Sequence, residues 1–445
     1  MKRRQFLSTV AGTGAGLLIL PRVKLFGADA PSNKLNIGLI GTWGRGEAHF
    51  GAIRKENVVA LCDINAEHLA YGAKKLGESA ANAKQYADWR KMLEQKDLQA
   101  VVCCSLDHTH AFVSNWCLNR GLHIYCEKPL AISVEEARVV RANYLKNKKK
   151  VATQVGTQRH AIENFNRVRE LVLDGAIGDL KEVSAWGNRK LGRPGYPAGA
   201  GEPPSHINWD LWVGPSPMHP FSPEYFKGGS GMNCLQWNMY WDFGTGQVGD
   251  MGSHTMDLAW NAMDATLPTS VEAKGDPFNP EVTPVLLHSE FEMPANSWRK
   301  GIKLHWYQGG AMPESPSKYL DLNKIDHGAL FDGSKGYLAS GFNSRILLPL
   351  GDKADMTYYK PRTKETVLPP LGDFQGEWIR AAKGDLKTTC DFEYSGNLIE
   401  TMLLGLVAYR VGKKFKYDGA TGKTDSPEAD ALLARKYRAG WTLNG

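Results

Sequence analysis

Short apolar runs alternate with helical patterns over the first 155 residues. Runs of this length, rich in β-branched residues, predict buried strands, and the segments between them have the apolar spacing of helices. The predicted strands are 35–40, 58–64, 100–104, 123–126 and 151–155. The predicted helices between them include 65–76, 111–120 and 133–148. Strands that alternate with helices at this spacing indicate a parallel sheet.

The pattern changes after Gly178. Runs 183–189, 285–293 and 302–307 alternate apolar and polar residues, as strands do in a sheet with one exposed face. Residues 328–341 predict a strand, a turn and a strand, and helices are predicted over 156–173, 374–382, 394–411 and 432–441. Between them, 192–237 is rich in Gly, Pro and aromatic residues and predicts an ordered arm or lid. The predicted class is α/β, with a parallel-sheet domain followed by an α+β domain whose large open sheet is mainly antiparallel.

The first predicted strand ends in a glycine-rich turn, Gly41-Thr42-Trp43-Gly44-Arg45-Gly46. Such a turn aims the N–H groups and the positive dipole of the following helix at an anion beyond the strand. Asp63 ends the second strand about 20 residues later, where a carboxylate accepts hydrogen bonds from a ribose diol. The unit predicts a Rossmann-type dinucleotide site, against the alternative of a structural turn. Trp43 replaces the usual middle glycine, so either Gly44 takes over that role or the indole folds aside over the cofactor.

Polar residues follow the next two strands of the predicted sheet. Ser105, Asp107 and His110 follow the third strand, and Glu127 and Lys128 follow the fourth. The carboxyl ends of parallel strands are where doubly wound folds bind ligands, so these residues are predicted to contact the cofactor. We expect Lys128 also to bond a substrate hydroxyl, with a pKa lowered by partial burial enough for proton transfer. The alternative is a solvated lysine beside a structural proline.

A second group of reactive side chains lies near the middle of the chain. Asp250 and His254 are four residues apart and share one face of a helix. A carboxylate beside an imidazole orients it and raises its basicity, which suits proton removal from a carbinol. The alternative is a helix cap and a core histidine; a metal pair lacks a third ligand at local spacing, so no metal is predicted. The remaining predicted contacts are Gln158 to the cofactor and Arg159, Tyr240, Asp242 and Asp257 to the substrate.

Composition excludes several classes of protein. The 445 residues are 42% hydrophobic and 23% charged, which is ordinary for a globular chain with two domains. The formal charge is +7, but residues 1–30 hold five basic residues and one acidic residue. The rest shows no basic stripe with interleaved aromatics, so nucleic acid is not an expected partner. Seven cysteines, several in strand-like runs, do not predict a disulfide framework.

The N-terminus predicts an export signal. Arg3-Arg4-Gln5-Phe6-Leu7 precedes an apolar run to Leu20 and a small-residue cleavage site at 28–30, which resembles a twin-arginine signal. The alternatives are an ordinary secretory signal and an uncleaved anchor. No later run is long enough to span a bilayer, so no integral membrane segment is expected after signal removal. We predict a periplasmic or otherwise exported protein that keeps its nicotinamide cofactor tightly bound, because free cofactor is scarce outside the cytoplasm.

Several of these features occur in one order along the chain: the glycine turn, Asp63, residues 107–110, Glu127-Lys128-Pro129, and residues 249–257. Together they resemble the Gfo/Idh/MocA oxidoreductase family, which includes glucose–fructose oxidoreductase and inositol dehydrogenases. The resemblance covers nearly the whole chain after the signal, and residues 208–212 and 241–244 resemble an exported branch found in carbohydrate-degrading bacteria.

The resemblance implies a Rossmann domain over 31–155, after a signal at 1–30, and a substrate and oligomerisation domain over 156–445. It also implies that Lys128, Asp250 and His254 surround a sugar or polyol carbon that exchanges hydride with nicotinamide. The open sheet would form a homo-oligomer, a dimer or a tetramer. Asp63, with no arginine directly after it, favours NAD over NADP because a 2′-phosphate would be repelled.

Three functions remain open from the sequence. The first is an exported sugar, polyol or glycoside oxidoreductase that holds NAD(H) tightly. The second is an NAD-dependent glycoside hydrolase or lyase that oxidises a sugar transiently, with no net redox change. The third is a non-catalytic sugar-binding protein with a degenerate cofactor turn, for which Trp43 is the positive support.

Overall fold

The computed structural model describes residues 33–229, 232–350, 355 and 357–445. The predicted signal, residues 1–30, lies outside the described residues. Residues 35–445 form one compact unit, which contains two β-sheets. In the described part of the chain, no helix is long and apolar enough to cross a membrane.

The first sheet is parallel, as the alternation of strands and helices predicts. Its described strands are β1 (Asn36–Ile40), β2 (Asn57–Cys62), β3 (Lys84–Tyr86), β4 (Ala100–Cys103), β5 (His123–Cys126) and β6 (Thr153–Val155). They lie in the order β3-β2-β1-β4-β5-β6, and each neighbouring pair is parallel. Every residue of β4 is buried, as expected for a strand covered on both faces. The strand order reverses between β1 and β4, and such a reversal opens a crevice at the carboxyl ends.

Side-chain caps determine where the two long helices nearest the predicted sites begin. The side chains of Asn65 and Ser133 accept backbone N–H groups and cap the helices Ala66–Leu76 and Val134–Asn147. Both helices agree with the prediction. The other α-helices of this part are Phe50–Ile53, Trp89–Met92 and Asp107–Asn119, with 3-10 turns at Gly44–His49 and Gly77–Ala80.

Two predicted helix boundaries are wrong. The helix predicted to begin at Ala111 begins at Asp107, because the N–H of Thr109 already bonds to the carbonyl of Leu106 and closes the first turn. The expected polar loop is therefore mostly helix. The single helix predicted over 156–173 is a 3-10 turn, Gln158–Ala161, and a separate α-helix, Glu163–Leu173, because the backbone of Ile162 is extended between them.

The second sheet is mixed and mostly antiparallel, as predicted. Its described strands are β7 (Leu180–Gly187), β8 (Ser270–Gly275), β9 (Leu287–Met293), β10 (Ile302–Gln308), β11 (His327–Gly333), β12 (Gly336–Gly341), β13 (Arg345–Pro349), β14 (Phe415–Asp418) and β15 (Lys423–Thr424). They lie in the order β13-β12-β11-β7-β10-β9-β8-β14-β15. β7 and β10 pair in parallel, and the other neighbouring pairs are antiparallel. Residues along β9 alternate between buried and half-buried, so one face of this strand is more exposed.

Helices on one face of the second sheet join its core to that of the first. Ser253–Ala262 packs on β7 and β11, and Tyr394–Val411 packs on β8, β9 and the helix Val134–Asn147. Glu400, which is fully buried, bonds to Arg138 at 2.7 Å and to the hydroxyl of Tyr417 at 2.6 Å. The helix Phe374–Lys383 packs Trp378 on Tyr125 of β5.

The segment 192–237 contains ordered structure where it is described, in agreement with the predicted arm. It has the helices Trp209–Val213 and Cys234–Trp237 and a 3-10 turn at Pro223–Phe226. Its aromatic side chains form a cluster with Phe243 that includes Trp209, Trp212, Phe221 and Tyr225. This cluster anchors the arm.

The terminal helix predicted over 432–441 is wrong. A short helix, Pro427–Asp430, ends before this segment, which then runs without regular structure. Arg435 bonds to Glu136 and to the carbonyl of His108, and Arg438 bonds to the carbonyl of Gly214. These contacts with separate parts of the chain override the local helical pattern.

Candidate active site

A cleft of about 350 Å³ opens at the carboxyl ends of the parallel strands. Predicted residues that line it are Gly41, Trp43, Gly44, Arg45, Asp63, Ser105, Asp107, His110, Glu127, Lys128, Gln158, Arg159, Asp250 and His254. Lining residues that were not predicted include Asn65, His68, Thr109, Arg189, Trp212 and Trp237. The cleft therefore brings the two predicted groups of reactive residues to one place.

The glycine turn needs glycine at both of its ends. Gly41 has a φ of 81°, in the left-handed region, and a Cβ there would lie 2.3 Å from the carbonyl oxygen of Cys104. A Cβ on Gly46 would lie 1.9 Å from the carbonyl oxygen of Gly41. Gly46 thus packs behind the turn, while Gly44 and Arg45 line the cleft.

The Trp43 side chain is folded aside. Its indole stacks on the imidazole of His68, with ring centroids 4.4 Å apart and planes inclined by 12°. Burial lowers the pKa of His68, so this imidazole is neutral at pH 7. The stacked pair forms one wall of the cleft and leaves the backbone of Gly44 open to it.

Asp63 follows β2 at the same end of the cleft as this stacked pair. Its Oδ2 accepts the backbone N–H of Thr42 at 2.8 Å, and its Oδ1 accepts the N–H of Asn65 at 3.0 Å. Burial raises the pKa of Asp63, although these backbone hydrogen bonds lower it. Oδ2 also lies 3.1 Å from the hydroxyl oxygen of Thr42, whereas Oδ1 has a further lone pair with which the carboxylate can accept from a ligand hydroxyl. Thr42 is buried behind the turn and acts on the cleft through Asp63.

Glu127 is an ionised carboxylate in the buried floor of the cleft. Its Oε1 accepts from Arg45 Nε at 2.8 Å and lies 2.9 Å from His49 Nε2. Burial raises the pKa of Glu127, but the hydrogen bond to His49 and the charge of Arg45 lower the pKa by more than burial raises it, to about 2. Its Oε2 is buried and has no hydrogen-bond partner among the described residues. This oxygen is available as an acceptor.

Lys128, Asp250 and Arg189 form a charged chain across the cleft. Lys128 Nζ lies 2.6 Å from Asp250 Oδ1, and Arg189 Nη1 lies 2.8 Å from Asp250 Oδ2. Burial lowers the pKa of Lys128, but Asp250 raises it more, so the ammonium is held above its ordinary range. Burial raises the pKa of Asp250, and Lys128 brings it below its ordinary value. The expectation that burial prepares Lys128 to give up its proton is therefore wrong for this structure.

His254 is a buried, neutral imidazole. Burial and then the charge of Lys128 lower its pKa to about 3, although Asp250 raises it. The carboxylate of Asp250 is engaged by Lys128 and Arg189, so the expected gain in basicity from Asp250 is outweighed. The Nδ1 of His254 is buried and has no hydrogen-bond partner among the described residues. A neutral ring with a vacant nitrogen can accept a proton.

A widened helical turn places Asp250 in the cleft. Residues Val248–Gly252 form a π-helical turn that leads into the α-helix Ser253–Ala262. A Cβ on Gly249 would lie 2.2 Å from Thr245 Oγ1, so glycine permits this close packing. Asp250 and His254 both reach the cleft. The spacing argument assumed a regular α-helix between them, whereas the structure has a π-helical turn there. Such turns are frequent at functional sites.

His110 ties the ends of β4 and β5 together. Its Nδ1 lies 2.7 Å from the carbonyl oxygen of Pro129, and its Nε2 lies 3.0 Å from that of Ser105. These bonds fix the residue after Lys128. Asp107, in the first turn of the same helix, is buried at the cleft wall, and burial raises its pKa to about 7.

Three predicted substrate contacts do not line the cleft. Asp242 Oδ2 instead accepts from the hydroxyl of Tyr196 and lies 2.8 Å from His219 Nε2. Tyr240 stacks on Tyr196 with ring centroids 5.0 Å apart. Tyr240 belongs to the aromatic cluster of the arm and Asp242 bonds to Tyr196 at its edge, so the structure corrects their predicted position.

Asp257, the third of these residues, is fully buried. Its carboxylate lies 2.9 Å from His160 Nδ1 and accepts the hydroxyl of Tyr394 at 2.5 Å. Burial lowers the pKa of His160, but Asp257 raises it well above its ordinary value. The pair is a buried ion pair that fixes the turn behind Arg159 and is not a substrate contact.

Replacing Asp257 by Asn is expected to lower the free energy of unfolding by about 3 kcal/mol, because it leaves a buried imidazole without its counter-charge. Guanidinium denaturation measures the loss. The KM for substrate should change little, and a large rise in KM at unchanged stability would contradict this assignment. Asp242→Asn, at a more exposed carboxylate, should cost less stability.

In the part of the chain that the structure describes, potential metal ligands gather in three places: Cys103, His110 and Cys126; His49, Cys104 and Glu127; and His160, Asp257 and Cys390. In each group the histidine already bonds to a carboxylate or a carbonyl. These hydrogen bonds account for the three groups, and we assign them no metal.

Arg189 is the main functional side chain that the sequence interpretation missed. It follows β7 by two residues and was treated as the end of a strand. A guanidinium at the end of a strand run such as VSAWGNR is a signal that could have found it. Its partner, Asp250, is distant in sequence and could not be inferred from spacing.

Two family models match this chain. One describes an oxidoreductase family with an NAD-binding Rossmann fold and matches residues 35–157, and the other describes the C-terminal alpha/beta domain of that family and matches 198–443. Together they cover more than half of the chain.

Curated relatives match about a third of this chain. The inositol 2-dehydrogenase of Pseudomonas savastanoi pv. phaseolicola is 31% identical over 150 residues, which is 33% of this chain and 43% of that protein. The rhizopine catabolism protein MocA of Rhizobium meliloti is 28% identical over 153 residues, 34% of this chain and 47% of that protein. The chain thus spans less than half the length of these relatives.

Solved structures share the fold over most of the chain. An inositol dehydrogenase homolog from Azotobacter vinelandii, complexed with NADH and myo-inositol, has a TM-score of 0.58 and 18% identity and covers 86% of this chain and 98% of that chain. The WlbA dehydrogenase from Bordetella pertussis, in complex with NADH and UDP-GlcNAcA, has a TM-score of 0.59 and 17% identity and covers 86% of this chain and 99% of that chain.

Proposed function

This chain belongs to the Gfo/Idh/MocA oxidoreductase family, and on that premise we propose that it oxidises a hydroxyl group of a sugar, polyol or glycoside with NAD as hydride acceptor. The observation that carries the proposal is that Lys128, Asp250 and His254 share one cleft with the glycine turn and Asp63. The names of the relatives, inositol 2-dehydrogenase among them, support a carbohydrate substrate. No observation favours redox-neutral cleavage or a non-catalytic role.

The residues of the cleft fit a dinucleotide. The backbone at Gly41 and Gly44 would hold the pyrophosphate, Asp63 would accept from the adenosine ribose, and the vacant Oε2 of Glu127 is a further acceptor. NAD bound here would supply the ring carbon that takes the hydride. We propose NAD over NADP, because Asp63 would repel a 2′-phosphate and the neutral His68 beside it offers no compensating charge.

Lys128 and His254 divide the chemistry at the other end of the cleft. The ammonium of Lys128 has N–H groups beyond the one that bonds to Asp250, and these can hold the substrate hydroxyl. His254 would take the proton of the substrate hydroxyl. The hydrogen on the same carbon would leave with the electron pair of its C–H bond, as hydride, and the carbon would become a carbonyl. Lys128 stabilises the negative charge that develops on oxygen. Asp250 holds Lys128 in place.

The test incubates the purified protein with NAD and a panel of sugars, polyols and aryl glycosides and follows NADH by its absorbance. We expect NADH to form with at least one substrate. Release of aglycone without NADH would favour the glycosidase function instead. A protein that neither contains NAD(H) nor binds added NAD would contradict the proposal.

Replacing Asp63 by Ser is expected to lower the ratio of kcat/KM for NAD to that for NADP by about 10-fold or more, because the repulsive carboxylate is removed. Titration of NADH and NADPH by fluorescence would separate binding from turnover. Asp88→Ser is a matched control, since Asp88 also follows a strand of the first sheet and accepts a backbone N–H, but it does not line the cleft. An unchanged ratio would show that other residues set the preference.

The remaining parts of the proposal rest on the sequence. We retain a twin-arginine signal over 1–30, export, a cofactor domain over 31–155 and a second domain over 156–445. An exported enzyme would keep NAD(H) bound and regenerate it with a second carbohydrate or a redox partner. Assay of NAD(H) released by denaturation tests tight binding. Cell fractionation with and without an active twin-arginine translocase tests export, and light scattering tests for a homodimer or homotetramer.

A further inference from the structure

Three cations, Lys128, Arg189 and Arg159, lie at the Lys128 end of the cleft with one ionised carboxylate, Asp250. The two oxygens of Asp250 are engaged by Lys128 Nζ at 2.6 Å and by Arg189 Nη1 at 2.8 Å. Arg159 lines the same cleft. This end of the cleft therefore carries more positive than negative charge.

Arg159 forms no salt bridge with any residue that the structure describes, although the charge of Asp250 acts on it from a distance. Its guanidinium lies over the ring of Phe342, 4.1 Å from the centroid, and its buried Nε makes no hydrogen bond. Burial and then the charge of Arg189 lower the pKa of Arg159. A partly desolvated, unpaired cation is costly, and an anion that enters the cleft would relieve that cost.

The other ionisable groups at this end do not supply that anion. Burial raises the pKa of Asp107 to about 7, so its carboxylate is only partly charged at neutral pH. Burial and then Arg189 lower the pKa of His327 to about 4, so its imidazole is neutral, and its buried Nδ1 has no hydrogen-bond partner among the described residues. Glu127 is already paired with Arg45 in the floor of the cleft.

We propose that the carbohydrate oxidised in this cleft is a sugar acid, whose carboxylate binds to Arg159 and Arg189. The inference rests on the proposed function and adds the substrate class. The planar fork of a guanidinium matches the two oxygens of a carboxylate. A carboxylate presents two oxygens in one plane to such a fork, whereas a phosphate group is tetrahedral and carries a second charge. A phosphorylated sugar is therefore the competing ligand.

Selectivity follows from the same charges. A neutral sugar of similar size would fill the space but leave Arg159 desolvated and unpaired. Sites built to pair a polar group reject analogues that lack it much more strongly than apolar pockets reject a missing methylene. The site should thus discriminate between an acid and its neutral parent.

The experiment compares D-glucuronate and D-galacturonate with D-glucose, D-galactose and D-glucose 6-phosphate as substrates of the NAD-loaded protein. We expect kcat/KM for at least one acid to exceed that for its neutral parent by about 100-fold. Arg159→Met should remove most of this advantage by raising the KM for the acid more than the KM for the neutral sugar. Arg159→Lys keeps the positive charge but lacks the planar guanidinium, so this variant should retain part of the preference for the acid.

Arg120→Met is the matched control. Arg120 also lies over an aromatic ring, 4.8 Å from the centroid of Trp116, but it does not line the cleft. The variant should keep the preference for the acid. Thermal unfolding of each variant separates a lost contact from a lost fold.

The outcomes separate this inference from the function on which it rests. If the neutral sugars react as well as the acids, or if the phosphate is preferred, the sugar-acid inference is wrong and the oxidoreductase function stands. If no sugar reduces NAD, the proposed function fails, and calorimetric titration of D-glucuronate and D-glucose into the NAD-loaded protein decides the inference. Tighter binding of the acid that Arg159→Met abolishes would support it, and equal or absent binding would contradict it.

Discussion

Replacing Lys128 by Met is expected to lower kcat/KM by about 10³-fold while leaving NAD bound. Methionine has a similar length but provides no N–H to hold the substrate hydroxyl and no charge to stabilise the developing alkoxide. Asp250 keeps its bond to Arg189 at 2.8 Å, so its carboxylate is not left unpaired. Steady-state kinetics with NAD and the best substrate measure the loss, and the NAD content of the purified variant checks the cofactor site.

The same variant should change the pH profile in a stated direction. Lys128 is one of the groups that lower the pKa of His254 to about 3. Removing its charge raises the pKa of His254, so the acid limb of the residual activity should move to higher pH. A merely structural role for Lys128 would not move that limb.

Lys383→Met is the matched control for this change. Lys383 makes an ion pair of the same length, 2.6 Å to Glu56, but neither residue lines the cleft. Its loss should reduce thermal stability and leave turnover intact. A Lys128→Met protein that turns over at the normal rate would remove Lys128 from the chemistry.

Five of the six described strands of the first sheet could be predicted because their signals are local, whereas β3, which is three residues long and mostly exposed, has no apolar run and was not predicted. Apolar runs bounded by polar loops identify the strands, and Asn65 and Ser133 cap their own helices. The conformation of residues 432–441 could not be predicted from local signals. Its course is decided by contacts of Arg435 and Arg438 with residues far away in sequence, which a local pattern does not contain.

The active site shows the same limit at the level of single charges. The sequence predicts the turn at Gly41, the lysine after β5 and the spacing of Asp250 and His254. All of these residues line one cleft. The protonation states of Lys128 and His254 could not be predicted from the sequence. The raised pKa of Lys128 comes from its contact with Asp250 across 122 positions of sequence, and the lowered pKa of His254 comes from burial and then from the charge of Lys128. Arg189 was missed for the same reason.

His254→Ala is the second change expected to have a large effect, again about 10³-fold on kcat, because the general base is removed while NAD and substrate can still bind. The pKa of His254, about 3, means that the imidazole is neutral and competent well below pH 7. Loss of wild-type activity through His254 is therefore expected only near pH 3, as the ring gains a proton. A decline near pH 7 would instead report Asp107, whose pKa is about 7.

Added imidazole provides the sharpest test of His254 as the base. The alanine variant leaves a space the size of the lost ring in the cleft, so free imidazole should restore part of the turnover, with a pH dependence that follows its own pKa. His123→Ala is the matched control, since His123 begins β5, the strand whose other end leads to Lys128, and burial lowers its pKa also. That variant should keep its activity and show no response to imidazole. If His254→Ala raised only the KM and ignored imidazole, His254 would position the substrate, and the proton acceptor would have to be sought elsewhere in the cleft.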